Sequence, residues 1–347
     1  MTIGGFRIGA FLLAALLAPA LSSPASACTI TSSVTGDLGT YSPPAVRASV
    51  VPALYTRAGL NCTPSVIVLL GINYIRAKFQ SQNGMKLRDG SGNLISYTAS
   101  ADAAATAPFT QNGTVDYMQN NLLNILGLLG GSSAEFPIYV KPSSASLPPE
   151  GVYTDRITVT WNWYLCQGVN ALFICLGTPD SGLNVPTTVD IRLTVTANRM
   201  VVTTSLATTW DPVNSTYRPK AIPGSRQRIV AGVSNPDIVA IDANTVLIAV
   251  AVPPRALVAF DGDKAGVADF VRFTDGAVQS KVTLAYTAPG STTDDVEFSA
   301  DGGNSWTYQP VAGSPASVAA ITHIRLRPKG TMAASSNFSV SYPIEVK

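Results

Sequence analysis

Apolar and polar residues alternate with a period of two over much of this chain. Ile157, Val159, Trp161 and Trp163 are interleaved with Arg156, Thr158, Thr160 and Asn162, the pattern of a strand with one buried and one wet face. The same alternation recurs at Val189, Ile191, Leu193 and Val195, at Val282, Leu284 and Tyr286, and at Phe338, Val340, Tyr342, Ile344 and Val346. Residues 245–252 form an apolar run that predicts a strand buried on both faces. Turn chemistry separates these runs, as Asp89-Gly90-Ser91-Gly92-Asn93, Asp261-Gly262, Asp275-Gly276 and Asp301-Gly302-Gly303. Many short strands with such turns predict an all-β protein built from two immunoglobulin-like β-sandwich domains. One helix is expected, over 118–129, where Leu122, Ile125, Leu126 and Leu129 share a face and Gly127 limits the length.

The N-terminal 27 residues read as a cleaved export signal. Arg7 supplies the positive start, 8–21 is uncharged, and Ala25-Ser26-Ala27 is a small-x-small cleavage site. The mature chain is expected to begin at Cys28, pass through the periplasm and end on the cell surface, in a pilus or in the medium. A lipid anchor on Cys28 is the competing reading. The remaining length suits two domains, 28–200 and 201–347, with the boundary near 200–210, where the 189–195 strand closes one pattern and Asp211-Pro212 opens another.

Charged residues make up 13% of the chain, about half the usual share, as in exported β-rich proteins. The formal charge of +2 includes Arg7, so no general field attracts nucleic acid, and nucleic-acid binding is not expected. Four cysteines in an oxidising compartment predict two disulfides with three conceivable pairings. Cys28 with Cys62 and Cys166 with Cys175 is the favoured set, because the second pair closes a short hairpin loop and the first ties the mature N-terminus to the strand region near Thr63. The spacing of Cys166 and Cys175 fits no zinc finger or ribbon, so no metal is expected.

The segment Pro149-Glu150-Gly151-Val152-Tyr153-Thr154-Asp155-Arg156-Ile157-Thr158-Val159-Thr160 resembles the closing strand of the spore coat protein U family. Cys28, Gly36-Asp37-Leu38-Gly39-Thr40-Tyr41, Leu60-Asn61-Cys62-Thr63, Asn93-Leu94-Ile95-Ser96-Tyr97 and Phe136-Pro137-Ile138-Tyr139 follow the order of that family. The resemblance covers roughly 28–200 and does not reach the second half, which is only faintly similar to secreted immunoglobulin-like repeat domains. The family is similar to subunits of archaic chaperone-usher pili, which assemble when an extended arm of one subunit completes the sheet of the next. The resemblance therefore implies a surface or pilus-associated adhesion subunit. Its partners are a periplasmic chaperone, an usher and other pilus subunits, met by donor-strand exchange, together with an abiotic or host surface. A chain beginning at a bridged Cys28 has no arm to donate, which suits a pilus tip adhesin. The alternatives are a secreted carbohydrate-active protein and a free-standing envelope or spore-coat-like structural protein.

Candidate chemistry is sparse, and no catalysis and no cofactor are expected. Ser299-Ala300-Asp301-Gly302-Gly303-Asn304-Ser305-Trp306 matches an Asp-box, which fastens a hairpin rather than performing a reaction. His323 is the only histidine, and His323, Arg325, Arg327 and Lys329 alternate with other residues in what is either a solvated strand face or a cationic strip for anionic polysaccharide or lipid headgroups. The expected surface-binding residues are apolar loops: Leu122, Leu123, Leu128 and Leu129, with Leu172, Phe173 and Ile174 in the clasped hairpin.

Overall fold

The computed structural model describes residues 27–63, 72–119, 122, 126, 134–171, 174–264 and 269–347. The expected signal segment therefore lies outside the described residues apart from Ala27. Among the described residues no helix is long and apolar enough to cross a membrane.

The chain is almost entirely β, in two sets of sheets that share no strand pairing among the described residues. The first unit contains β1 (Cys28–Ile30), β2 (Ser33–Tyr41), the short helix α1 (Pro43–Arg47), β3 (Leu54–Cys62), β4 (Tyr74–Ser81), β5 (Lys86–Arg88) and β6 (Leu94–Ser100). It continues with β7 (Pro108–Phe109), β8 (Thr114–Asp116), β9 (Ala134–Ser143), β10 (Gly151–Ala171) and β11 (Ile174–Val195). The strands run in the order β1-β3-β9-β6-β5-β10-β11-β2, with β4 on β10, β8 on β4 and β7 on β6. The sheet folds over so that β2 and β11 pack against β3.

The period-two reading of β10 holds: Ile157, Val159, Trp161 and Trp163 are buried, as are Val189, Ile191, Leu193 and Val195 on β11. β11 pairs antiparallel with β10 and, on its other side, parallel with β2, from Thr188 opposite Ser33 to Val195 opposite Tyr41. The first unit thus supplies its own closing strand.

A bulge in β3 shows how the core is specified. Its register with β9 shifts between Arg57 and Asn61, and Gly59 adopts φ +86°, where a Cβ would lie 2.6 Å from the Thr31 carbonyl. The Ala58 carbonyl, freed from the ladder, accepts from Trp161 Nε1 at 3.0 Å and Thr187 Oγ1 at 2.8 Å. Left unpaired in the core it would cost about 1–3 kcal/mol. Trp161 also packs between Tyr117 and Phe136, with ring centroids 5.7 and 5.8 Å away.

The second unit contains β12 (Val201–Trp210), β13 (Arg226–Asn235), β14 (Ile248–Ala251), β15 (Ala256–Val258), β16 (Arg272–Asp275), β17 (Val296–Ser299), α2 (Pro315–Ala319), β18 (His323–Leu326) and β19 (Ser336–Val346). One sheet runs β12-β13-β19-β15 with β16 also on β19, and the other runs β14-β18-β17. A separate core gathers Ile229, Ala231, Val233, Phe270, Phe298, Ile324, Phe338 and Tyr342. Arg226 and Arg228 are also buried: Arg226 contacts Asp261 and Glu345 at 2.8 Å, and Arg228 lies 3.5 Å from Asp263. Burial pulls the Arg228 guanidinium below its ordinary range.

Residues 201–210, at the expected boundary, form strand β12 of the second unit. Two sequence expectations need correction. The run 245–252 yields only the four residues of β14, whose Ala249 and Ala251 face solvent, because an apolar run does not distinguish a doubly buried strand from an edge. Val282 is buried and Leu284 and Tyr286 are partly buried against the second core, but their backbone contributes only an isolated bridge between Thr283 and Lys329.

Candidate functional site

The strongest candidate is β12, an edge strand that among the described residues pairs with β13 alone. Val202 stands opposite Val233 and Leu206 opposite Ile229. Directly opposed residues of an antiparallel pair project to the same side of the sheet. Val233 and Ile229 are buried in the second core, yet Val202 is 48% and Leu206 51% exposed. The core side of the sheet therefore continues onto β12 without a cover. Edge strands of free-standing proteins are usually blunted by charge, proline or short length. β12 runs for ten residues as VVTTSLATTW, with neither charge nor proline.

The disulfides are Cys28–Cys62 and Cys166–Cys175, the favoured pairing. Cys28 and Cys62 face each other across β1 and β3. The Cys28 backbone nitrogen donates to Asp180 Oδ2 at 2.9 Å, the Ala27 nitrogen donates to the same oxygen, and Trp163 Nε1 donates to Asp180 Oδ1 at 2.9 Å. A carboxylate from the β10–β11 hairpin thus holds the start of β1. This contact left no signal in the sequence, because its partners lie 152 residues apart.

Of the expected apolar-loop residues, Leu122 and Ile174 are described. Leu122 is buried in the first core, so it is a packing residue and not part of a binding loop. Leu123, Leu128, Leu129, Leu172 and Phe173 lie outside the described residues. Ile174 is 62% exposed on the clasped hairpin, and so is Leu176, at 63%.

The cationic strip is partly neutralised, with two carboxylates set against three cations. Glu297 stands opposite Arg325 in the β17–β18 register and takes ion pairs from both Arg325 and Arg327, the latter at 2.9 Å, while Lys329 lies 3.9 Å from Asp295. Arg325 also stacks 4.6 Å from the centre of the Trp306 ring. His323 Nδ1 is 3.2 Å from Thr322 Oγ1. The strip reading missed that cross-strand register places an acid on the same face.

The Asp-box fastens its turn. Ser299 Oγ donates to Asp301 at 2.7 Å, the Ser305 nitrogen donates to the same carboxylate at 2.9 Å, and Gly302 and Gly303 take positive φ. The Ser299 hydrogen bond, with that of Ser305, holds the Asp301 carboxyl far below the usual carboxylate range.

Residues 14–160 match the Spore Coat Protein U domain, a span that ends before the 200 expected from the resemblance. No curated protein matches the chain. Among solved structures it is similar to the CsuC–CsuE chaperone–tip adhesion subunit pre-assembly complex from archaic chaperone-usher Csu pili of Acinetobacter baumannii. That likeness has 12% identity and a TM-score of 0.40, covering 92% of this chain and 94% of that one. It is also similar to the CooA pilin subunit from enterotoxigenic Escherichia coli, at 13% identity and a TM-score of 0.27, over 48% of this chain and 92% of that one. The chain thus carries a Spore Coat Protein U domain over residues 14–160.

Proposed function

We propose that this chain is an exported subunit of a surface pilus, placed at its tip, in which the first unit is displayed and the second accepts an extended segment from another polypeptide along β12. The observation that carries this reading is the uncharged, proline-free edge of β12 with Val202 and Leu206 half exposed on its core side. An added strand gains main-chain hydrogen bonds, and side chains two apart fill the uncovered face. Covering the exposed parts of these two residues would contribute about 1 kcal/mol each. The donor is an extended arm with apolar residues at alternate positions, supplied by a periplasmic chaperone during export and by a neighbouring subunit after passage through the usher.

The first unit needs no donor, since β11 closes its sheet. With Cys28 bridged and Asp180 holding its nitrogen, a chain processed after Ala27 has no free arm to give, which supports a position at an end of the fibre. Its new α-ammonium would then stand 2.9 Å from the Asp180 carboxylate and form an ion pair there. Contact with a host or abiotic surface falls to the clasped hairpin, through Ile174 and Leu176, and not to Leu122. The Spore Coat Protein U domain supports the pilus assignment through the assembly mode that this resemblance implies.

The test is periplasmic co-expression with a pilus chaperone of the archaic type. The unaltered chain is expected to co-purify with the chaperone, and Val202→Arg combined with Leu206→Arg to reduce capture roughly tenfold, the equivalent of about 1.4 kcal/mol. Circular dichroism checks that the variant is folded. Undiminished capture of the folded double variant overturns the reading.

A further inference from the structure

The outer face of the first unit carries a groove of about 960 Å³. Strand register builds its floor. Arg88 of β5 stands opposite Thr154 of β10, Thr154 opposite Arg192 of β11, and Arg192 opposite Asp37 of β2. With neighbouring strands about 4.8 Å apart, Arg88 and Arg192 rise roughly 10 Å from each other, on either side of the Thr154 hydroxyl. The next row holds Arg156 opposite Asp190.

The acids and bases of this groove are differently engaged. Asp190 takes a two-pronged contact from Arg156, at 2.6 and 3.1 Å. Asp155, buried beneath, accepts from Ser81 Oγ at 2.6 Å, Tyr97 OH at 2.7 Å, the Asn83 nitrogen at 3.1 Å and the Arg156 nitrogen at 2.9 Å. Asp89 accepts from the Ser91 and Asn93 nitrogens and from Asn93 Nδ2, and Asp37 accepts from the Gly39 nitrogen at 2.8 Å. Arg88 and Arg192 are exposed and make no ion pair among the described residues; Arg192 has only a long contact of 3.4 Å to Thr194. Guanidinium donors are therefore available where carboxylate acceptors are largely occupied.

We propose that this groove binds an acidic polysaccharide, with ligand carboxylates on Arg88 and Arg192 and sugar hydroxyls on Thr35, Thr154, Gln82 and Asn83. Arginine matches a carboxylate with two parallel N–H donors. Among the described residues no aromatic ring lines the groove, so it offers no platform for stacking nucleic-acid bases, and with Val152 and Ile191 as its large apolar side chains it does not suit a lipid chain. The site uses no residue of β12, so strand acceptance and glycan binding stand or fall separately.

The experiment is titration of the purified full chain with polygalacturonate at low ionic strength, with neutral dextran, dextran sulfate and a single-stranded oligonucleotide alongside. Saturable binding of polygalacturonate, absent with dextran, is expected. Arg88→Gln with Arg192→Gln should weaken it roughly tenfold or more, since each change removes charge-assisted hydrogen bonds to a ligand carboxylate, while leaving the melting temperature unchanged. Arg325→Gln with Arg327→Gln, in the paired strip, should leave it within about twofold, as those two guanidiniums already share Glu297 and lie outside the groove. Absence of polygalacturonate binding, equal binding of dextran, preference for the oligonucleotide or dextran sulfate, or indifference to the Arg88 and Arg192 changes would each overturn the proposal.

Discussion

The two units solve the same problem, ending a β-sheet, in opposite ways. In the first, one path end is the three-residue β1, bridged through Cys28–Cys62 and held by Asp180, and the other is β2, which carries Asp37 and a glycine at positive φ. In the second, the path ends at ten unguarded residues of β12. The polar content differs too. The first core places its buried polar groups on hydrogen bonds, as at Ala58, Trp161 and Thr187, whereas the second buries Arg226 and Arg228 among Asp261, Asp263 and Glu345. Buried ion pairs contribute little net stability against their desolvation. The contrast teaches that the first unit guards both ends of its strand path, whereas the second leaves a ten-residue edge open.

The largest expected blow to this comparison comes from Trp161→Ala, which opens a cavity and strips the Ala58 carbonyl of one donor. It should destabilise the first unit by about 4–5 kcal/mol and leave the melting of the second unit where it was. Calorimetry with both transitions resolved checks this, and a joint fall of both would mean that the units are not separate cooperative bodies. Next, Cys28→Ala with Cys62→Ala should cost the first unit about 3–4 kcal/mol by freeing a 34-residue separation in the unfolded chain, read as a lower denaturant midpoint.

The smallest effect concerns acid. Burial alone would raise the Asp211 carboxyl, but donation from the nitrogens of Asn214, Lys220 and Val213 and from the Asn214 side chain brings it down to about 2. A carboxyl depressed in the folded state stabilises above its unfolded pKa of about 3.9. That contribution is lost as pH falls from there towards 2. The second unit should therefore lose stability over that window, and Asp211→Asn should flatten the slope in acid titrations followed by fluorescence.

Much of the first unit was legible because β10 and β11 alternate cleanly and each buries one face. The disulfides were legible because few pairings exist and one spans a short hairpin. β12 was not, since its Thr-rich sequence has weak alternation and sits next to Asp211-Pro212, the chemistry of a boundary. The 282–286 alternation correctly marked residues packed on the core but carried no information about backbone partners. The groove and the ion-paired strip share one cause of invisibility: both depend on which residue of a distant strand lies opposite, and period-two patterning fixes the face of a residue without fixing its neighbour.

The parallel pairing of β2 with β11 has a kinetic consequence. Thr188 donates to the Ser32 carbonyl across 156 residues of chain, so the ordering of nearly the whole unit must precede the reward of that edge. Folds dominated by such distant contacts form slowly. During export the early strands would wait, exposed, until residue 195 emerged, and the window for aggregation or capture by a holding partner is set by the time the translocation machinery takes to deliver that last strand.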